Sequence, residues 1–172
     1  GITGKSCLYI DEFDLMSGLV QDPMHILLEG VVLHEFTQVL YRFIYVDSLF
    51  SLKWLNTAIS SFQYSYLHNK AKPEPIEKCH IDGSGRIKQS AAAMLTLIQT
   101  LPLIIGSKIP RENRHWLNTL RLVQIVLFST ATYCTSDTAM ELKLLIAQYL
   151  FEFKHLYPKA SSVKEKKTRS KV

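Results

Sequence analysis

Apolar residues recur at three- and four-residue spacings through most of this chain, and no stretch sustains the strict apolar–polar alternation of a half-buried strand. Such a pattern folds by packing helices. A first helix is expected from Asp22 to about Ile44: the Asp22 side chain can accept a free first-turn N–H, and Pro23 is pre-set for the first helical position. On a wheel of about 100° per residue, Val32, Phe36, Val39, Leu40 and Phe43 form one stripe and His34, Glu35, Gln38 and Arg42 the opposite, solvated face. Ser48 or Ser51 caps a second helix to about Leu67, in which Leu52, Leu55, Ile59, Phe62 and Tyr66 share a face. Within Lys70 to Arg86, Pro73, Pro75, Gly83 and Gly85 predict a flexible loop. A third helix runs from about Lys88 to Leu101, with Ala91 to Ala93 as a small-residue face, and Pro102 kinks or ends it. Pro110 starts a fourth, through Trp116, Leu120, Val123 and Leu127. Ser136 or Asp137 caps a fifth, with Leu142, Leu145, Ile146, Tyr149, Phe153 and Leu156 inward until Pro158.

The expected fold is therefore mainly α, an irregular bundle of about five helices over residues 22–158, preceded by a loop or short-strand segment over 1–21. A chain of 172 residues with 47% hydrophobic content can bury one such core. Gln99, Thr100 and Pro102, or Arg121 and Gln124, interrupt its longest apolar runs, so neither a membrane partner nor a signal segment is expected. Three widely spaced cysteines (Cys7, Cys79 and Cys134) predict reduced thiols in an intracellular setting. Cys79 and His80 are adjacent donors without a second pair, which is weak zinc evidence, and no metal site or small-molecule cofactor is expected.

Ionisable residues are most informative at the start of the first helix. Projected back along the wheel, the apolar stripe takes in Asp22, His25 and Glu29. Charges on a core face are costly unless paired or metal-bound, so an inward cluster here would mark a functional site. A local reading needs less: Asp22 caps the helix, His25 is a satisfied half-buried imidazole, and Glu29 sits at the wet edge of the stripe. His115 beside Trp116, after the turn Arg111-Glu-Asn-Arg114, is read either as a DNA-backbone contact or as a helix-entry cap with Trp116 in the core.

The wider pattern is Gly1-Ile-Thr-Gly4-Lys-Ser6, Phe13-Asp14, Gly18, Asp22-Pro-Met-His25 and Glu29-Gly30-Val31, then Leu101-Pro-Leu-Ile-Ile-Gly106 and Asn113-Arg-His-Trp116. It resembles the CACTA-like transposase relatives of animal genomes, whose catalytic cores are similar to RNase H folds interrupted by a helical insertion. In several cut-and-paste transposase superfamilies a Cys-or-Asp, two residues, then His motif lies between the second catalytic carboxylate and the final glutamate. Asp22 and His25 match that motif, and the resemblance gives them a place at the active-site side of an intact relative, with Glu29 as a weaker candidate. Intact relatives resemble two-metal nucleases in which three carboxylates hold divalent ions such as Mg²⁺. Here the strands expected to carry the first two aspartates do not appear, and where relatives carry acidic and histidine residues the fifth helix reads Ala147-Gln148-Tyr149-Leu150. Of its acids, Glu141 and Glu152 are expected to be solvated.

The resemblance thus implies a fragment or domesticated remnant, incomplete as a catalyst on its own. The alternative is a non-catalytic helical module that binds a protein partner. Charge favours neither. Residues 159–172 hold six of the 20 basic and one of the 15 acidic residues, so the rest carries 14 of each. That tail, with Lys164, Lys166, Lys167 and Arg169, is the expected DNA-binding or nuclear-targeting element, or simply a solvated disordered end.

Overall fold

A computed structural model describes residues 22, 24–82, 85–133 and 135–158, and every structural statement concerns these. Among them are six α-helices and no strand: α1 (Val32–Tyr41), α2 (Leu52–Ser61), α3 (Lys78–Ile81), α4 (Ala91–Ile105), α5 (Arg114–Ser129) and α6 (Ser136–Leu156). The mainly helical expectation is met. The count exceeds about five because Lys78–Ile81 forms a turn of helix inside the stretch expected to be loop. Segments 1–21 and 159–172, with the expectations placed on them, lie outside the described residues.

The first helix is continuous but not uniform. Wide π-helical turns over Met24–Val31 and Arg42–Val46 flank α1, and the backbone stays right-handed helical at Val31 and Arg42, where they join it. Its apolar stripe is as the wheel requires, with Val32, Phe36, Val39, Leu40 and Phe43 all fully buried. They share one core with Leu97, Ile98 and Leu101 of α4 and Leu122 and Val126 of α5. Burying each such side chain contributes roughly 1.5–3 kcal/mol, so this helix is the axis of the bundle.

α2 begins where Ser51 Oγ accepts the Trp54 N–H at 3.1 Å, one of the two caps expected. It ends six residues sooner than Leu67. Phe62 turns extended, and the Tyr64 hydroxyl donates to the Ile59 carbonyl at 3.0 Å, satisfying a helix-end acceptor that a longer helix would have used. Tyr66 is consequently exposed instead of inward.

The stretch from Lys70 to Arg86 is anchored, contrary to the flexible loop expected. Ile76, Ile81 and neighbouring Ile87 are buried, and Asn56 pairs with both backbone groups of Ile76, donating to its carbonyl and accepting its N–H at 2.8 Å each. Close packing adds to this. A Cβ at Gly85 would lie 1.7 Å from the Cys79 carbonyl oxygen, so only glycine allows this approach.

α4 starts at Ser90, whose hydroxyl accepts the Ala93 N–H at 3.2 Å, and runs through Pro102 instead of stopping there. The Gly106 N–H still reaches the Pro102 carbonyl, and buried Ile98, Leu101 and Ile105 hold the helix across the missing donor. Ala91–Lys108 is long and apolar enough by composition to cross a membrane, and half of it is buried within the bundle. α5 is capped by Asn113, not begun at Pro110, and α6 by Thr135, one residue before the expected cap. On α6, Tyr149 is buried and Leu142, Leu145, Phe153 and Leu156 are partly covered; Ile146, expected inward, is exposed.

Asn56→Ala should destabilise the protein by about 2–3 kcal/mol, since it leaves two backbone groups of buried Ile76 without partners. Urea unfolding measures this. A loss below about 1 kcal/mol would mean that water replaces the amide, and that the segment is not held by it.

Candidate functional site

Asp22 caps the first helix as the sequence suggests: its Oδ1 accepts the Met24 N–H at 2.9 Å, while Oδ2 lies 2.5 Å from His25 Nδ1. The other ring nitrogen, Nε2, is 3.6 Å from Glu29 Oε2. The three predicted residues therefore form one unit. They do not turn inward, however: the side chains of Asp22, His25 and Glu29 are 51%, 66% and 43% exposed. The inward expectation fails on helical geometry. Each residue of the π-helical turn over Met24–Val31 advances by less than the 100° of an α-helix, and over the seven residues back from Val32 the deficit carries His25 off the core stripe. Leu28 is the residue of this turn that reaches the core.

With a carboxylate at each nitrogen, the imidazole favours its charged form. The Asp22 hydrogen bond, then the Glu29 and Asp22 charges, hold the His25 pKa above its ordinary value. Reciprocally, the His25 hydrogen bond and the Met24 N–H hold Asp22 below the usual carboxylate range. A cation near a helix N-terminus opposes the helix dipole, and the flanking carboxylates offset that. In this state the histidine forms ion pairs and has no lone pair to offer a metal.

Helix α1 carries a second ionisable group, misassigned to its solvated face. Glu35 is 0% exposed: it lies about 40° around the helix from buried Val39, at the edge of the stripe, where α5 and Tyr149 of α6 cover it. The Tyr149 hydroxyl donates to Oε2 at 3.3 Å, and Oε1 has no partner. Desolvation raises the Glu35 pKa from 4.5 to about 8, outweighing the opposing influence of the Tyr149 hydrogen bond and of the nearby Thr119 hydroxyl. Both polar atoms of the Asn118 side chain, also fully buried, lack partners. Local spacing places Glu35 beside the stripe, three residues after Val32 and four before Val39, but its complete burial depends on α5 and α6, at least 79 residues downstream of it.

Around this buried carboxyl the polar groups pair off. His115 Nδ1 lies 3.1 Å from the Tyr157 hydroxyl, and burial, then the Arg42 charge, lower the imidazole pKa. Arg42 Nε donates to Asp47 at 2.8 Å, and Arg114 to Glu152 at 2.8 Å. The local reading of this region holds: Asn113 accepts the Trp116 N–H at 3.0 Å and Trp116 is buried in the core. Glu152, expected to be solvated, is three-quarters covered by this pairing, while Glu141 is exposed.

Glu77, Cys79 and His80 bring three metal-capable atoms within 4.8 Å of one another. All three already serve the start of α3. The Glu77 carboxylate accepts the His80 N–H and His80 Nδ1 accepts the Glu77 N–H at 3.1 Å, a reciprocal cap. The Cys79 thiol donates to Glu77 at 3.4 Å, and the same carboxylate pushes its pKa up. A thiol so held is a poor thiolate ligand. Two surface grooves, one bordered by Leu52, Asn56 and Pro75 and one by Arg121, Ala147 and Phe151, are lined by none of Asp22, His25, Glu29 and Glu35.

No family model, curated protein or solved structure matches this chain.

Two titrations test these assignments. In an NMR titration the His25 ring should protonate at a pH above an ordinary histidine and shift back toward it in Asp22→Asn; an unchanged midpoint would refute the pairing. Glu35 gives the opposite linkage to a stabilising carboxylate. Its folded pKa is raised, so stability is greatest below pH 4.5 and falls as pH rises toward about 8, while the unfolded chain alone releases the proton. That loss is on the order of 5 kcal/mol across the window. Thermal melts of Glu35→Gln should lack this loss between pH 5 and 8, and equal slopes in both proteins would contradict a neutral buried carboxyl.

Proposed function

We propose that this chain is the helical part of a transposase-derived protein related to the CACTA-like group, and that it does not transfer DNA strands by itself. The observation that carries this reading is the Asp22–His25 unit. The two residues of the family's Asp-x-x-His motif are bonded to each other and exposed at the head of the first helix, where a catalytic core placed N-terminal to them would meet it. In this reading the bundle corresponds to the helical insertion of an RNase H-like enzyme.

The donor set does not fit a two-metal centre, which needs three carboxylates converging on the ions. Asp22 and Glu29 both pair with the His25 ring, Glu35 is buried under Tyr149, and Gln148 is exposed on α6. Purified as it stands, the chain should neither nick nor join supercoiled DNA in Mg²⁺ or Mn²⁺. Chelator-sensitive nicking that disappears in His25→Ala would overturn this.

A second reading, a helical protein-interaction module with a nuclear-targeting tail, draws on a different feature. α6 exposes Met140, Leu144 and Phe151, spaced four and seven residues apart along its outer side, an apolar stripe of the kind that meets a partner helix. DNA binding separates the two. If a salt-sensitive footprint vanishes on deleting residues 159–172, the tail alone supplies it and the interaction module gains; a footprint surviving that deletion belongs to the folded bundle and favours the insertion.

A further inference from the structure

We infer that α6 is a releasable arm: the neutral contact between Glu35 and Tyr149 keeps it docked, and ionisation of Glu35 lifts this one helix while the rest of the bundle stays folded. The inference stands on packing and is independent of the origin proposed above. α6 has 21 residues, of which Tyr149 alone is fully buried, whereas α1 buries six of ten and α5 seven of 16. The single deep anchor of the longest helix is therefore also the donor to the buried carboxyl.

An ionised carboxylate at this position needs more donors than the site supplies. Oε1 has none, and Oε2 has one long bond from Tyr149. From α5, Thr119 approaches, but its hydroxyl donates to the His115 carbonyl at 2.9 Å. The basic groups on the surrounding elements are engaged elsewhere: Arg42 with Asp47, Arg114 with Glu152 and His115 with Tyr157. The Tyr157 hydroxyl feels the Glu35 charge and is itself held protonated, first by burial and then by that charge. Water is the remaining source of donors. It reaches Glu35 with least disruption if α6 swings away, because α1 and α5 are locked into the main core by many more buried side chains. What else holds α6 is shallower: Leu142, Leu145 and Phe153 are partly covered against the core, and the rings of Phe153 and Tyr157 meet those of His34 and His115. The Arg114–Glu152 pair joins a largely exposed guanidinium to a mostly covered carboxylate and contributes little, and the outer stripe of Met140, Leu144 and Phe151 packs against nothing in the core.

Opening is coupled to one proton, so the α6 opening constant should rise by up to tenfold per pH unit between about 5 and 8, then level off. Hydrogen–deuterium exchange on the full chain, corrected for intrinsic rates, reads this directly. Amides of Ser136–Leu156 should lose protection across that window while those of Ala91–Ile105 keep theirs. Glu35→Gln should flatten the α6 dependence. Tyr149→Phe should lower α6 protection at acidic pH as well, because the anchor is weakened whatever the charge. Loss of protection in α4 and α6 together, or the same slope in Glu35→Gln as in wild type, would overturn the proposal. Should Glu35→Gln not fold, the wild-type comparison of α6 with α4 decides alone.

Discussion

Everything in this bundle is arranged around the enclosure of α1. Its apolar stripe is sealed by α4 and α5, and the edge of that stripe, where Glu35 sits, is covered by α5 and by Tyr149 of α6. Tyr41 on the same helix stays exposed, so the enclosure is confined to the side that carries Glu35. The consequence is a carboxyl group in a dry interior, where its charged form is disfavoured and its proton becomes part of the fold.

That constraint separates what the sequence makes legible from what it hides. Periodicity reports one face at a time, so Val32, Phe36, Leu40 and Phe43 are readable, and local caps such as Ser51 and Asp22 are nearly so, since side chain and partner lie within a turn. Glu35 is only partly readable: its place beside Val32 and Val39 is local, but its full burial comes from α5 and from Tyr149, 114 positions away. The isoleucines around α3 are hidden for a related reason. Among prolines and glycines they show no period, and distant side chains fix two of them, Asn56 holding Ile76 and Thr37 accepting the Ile87 N–H. The site at the helix head was half legible: spacing grouped Asp22, His25 and Glu29 correctly, but a wheel of fixed pitch could not anticipate the π-helical turn that swings them to the surface.

The surface position changes what those three residues can be asked to do. Buried, an aspartate–histidine–glutamate cluster would be a metal or proton-transfer site complete in itself. Exposed and mutually paired, it is a polar knob whose carboxylates favour the charged form of the histidine between them. A knob of that kind contributes to chemistry only when another surface supplies the rest of the site. The proposed relationship to an insertion domain rests on this incompleteness, and an isolated interaction module would have no use for it.

Glu35 presents a different economy. A leucine or methionine in its place would fill similar volume with no desolvation cost and no orphaned oxygen, and replacements of buried charged groups by apolar ones are often neutral or stabilising. A protein selected only for stability would therefore not keep a carboxyl there. Its effect is to concentrate instability at one seam: the cost of ionisation is relieved by displacing the least embedded helix, so the main core need not respond at all. Because α6 is apolar on its outer side as well as under Tyr149, displacement would present two faces to a partner where the docked helix presents one. The same proton thus governs both the stability of the seam and the area of apolar surface that the bundle can offer.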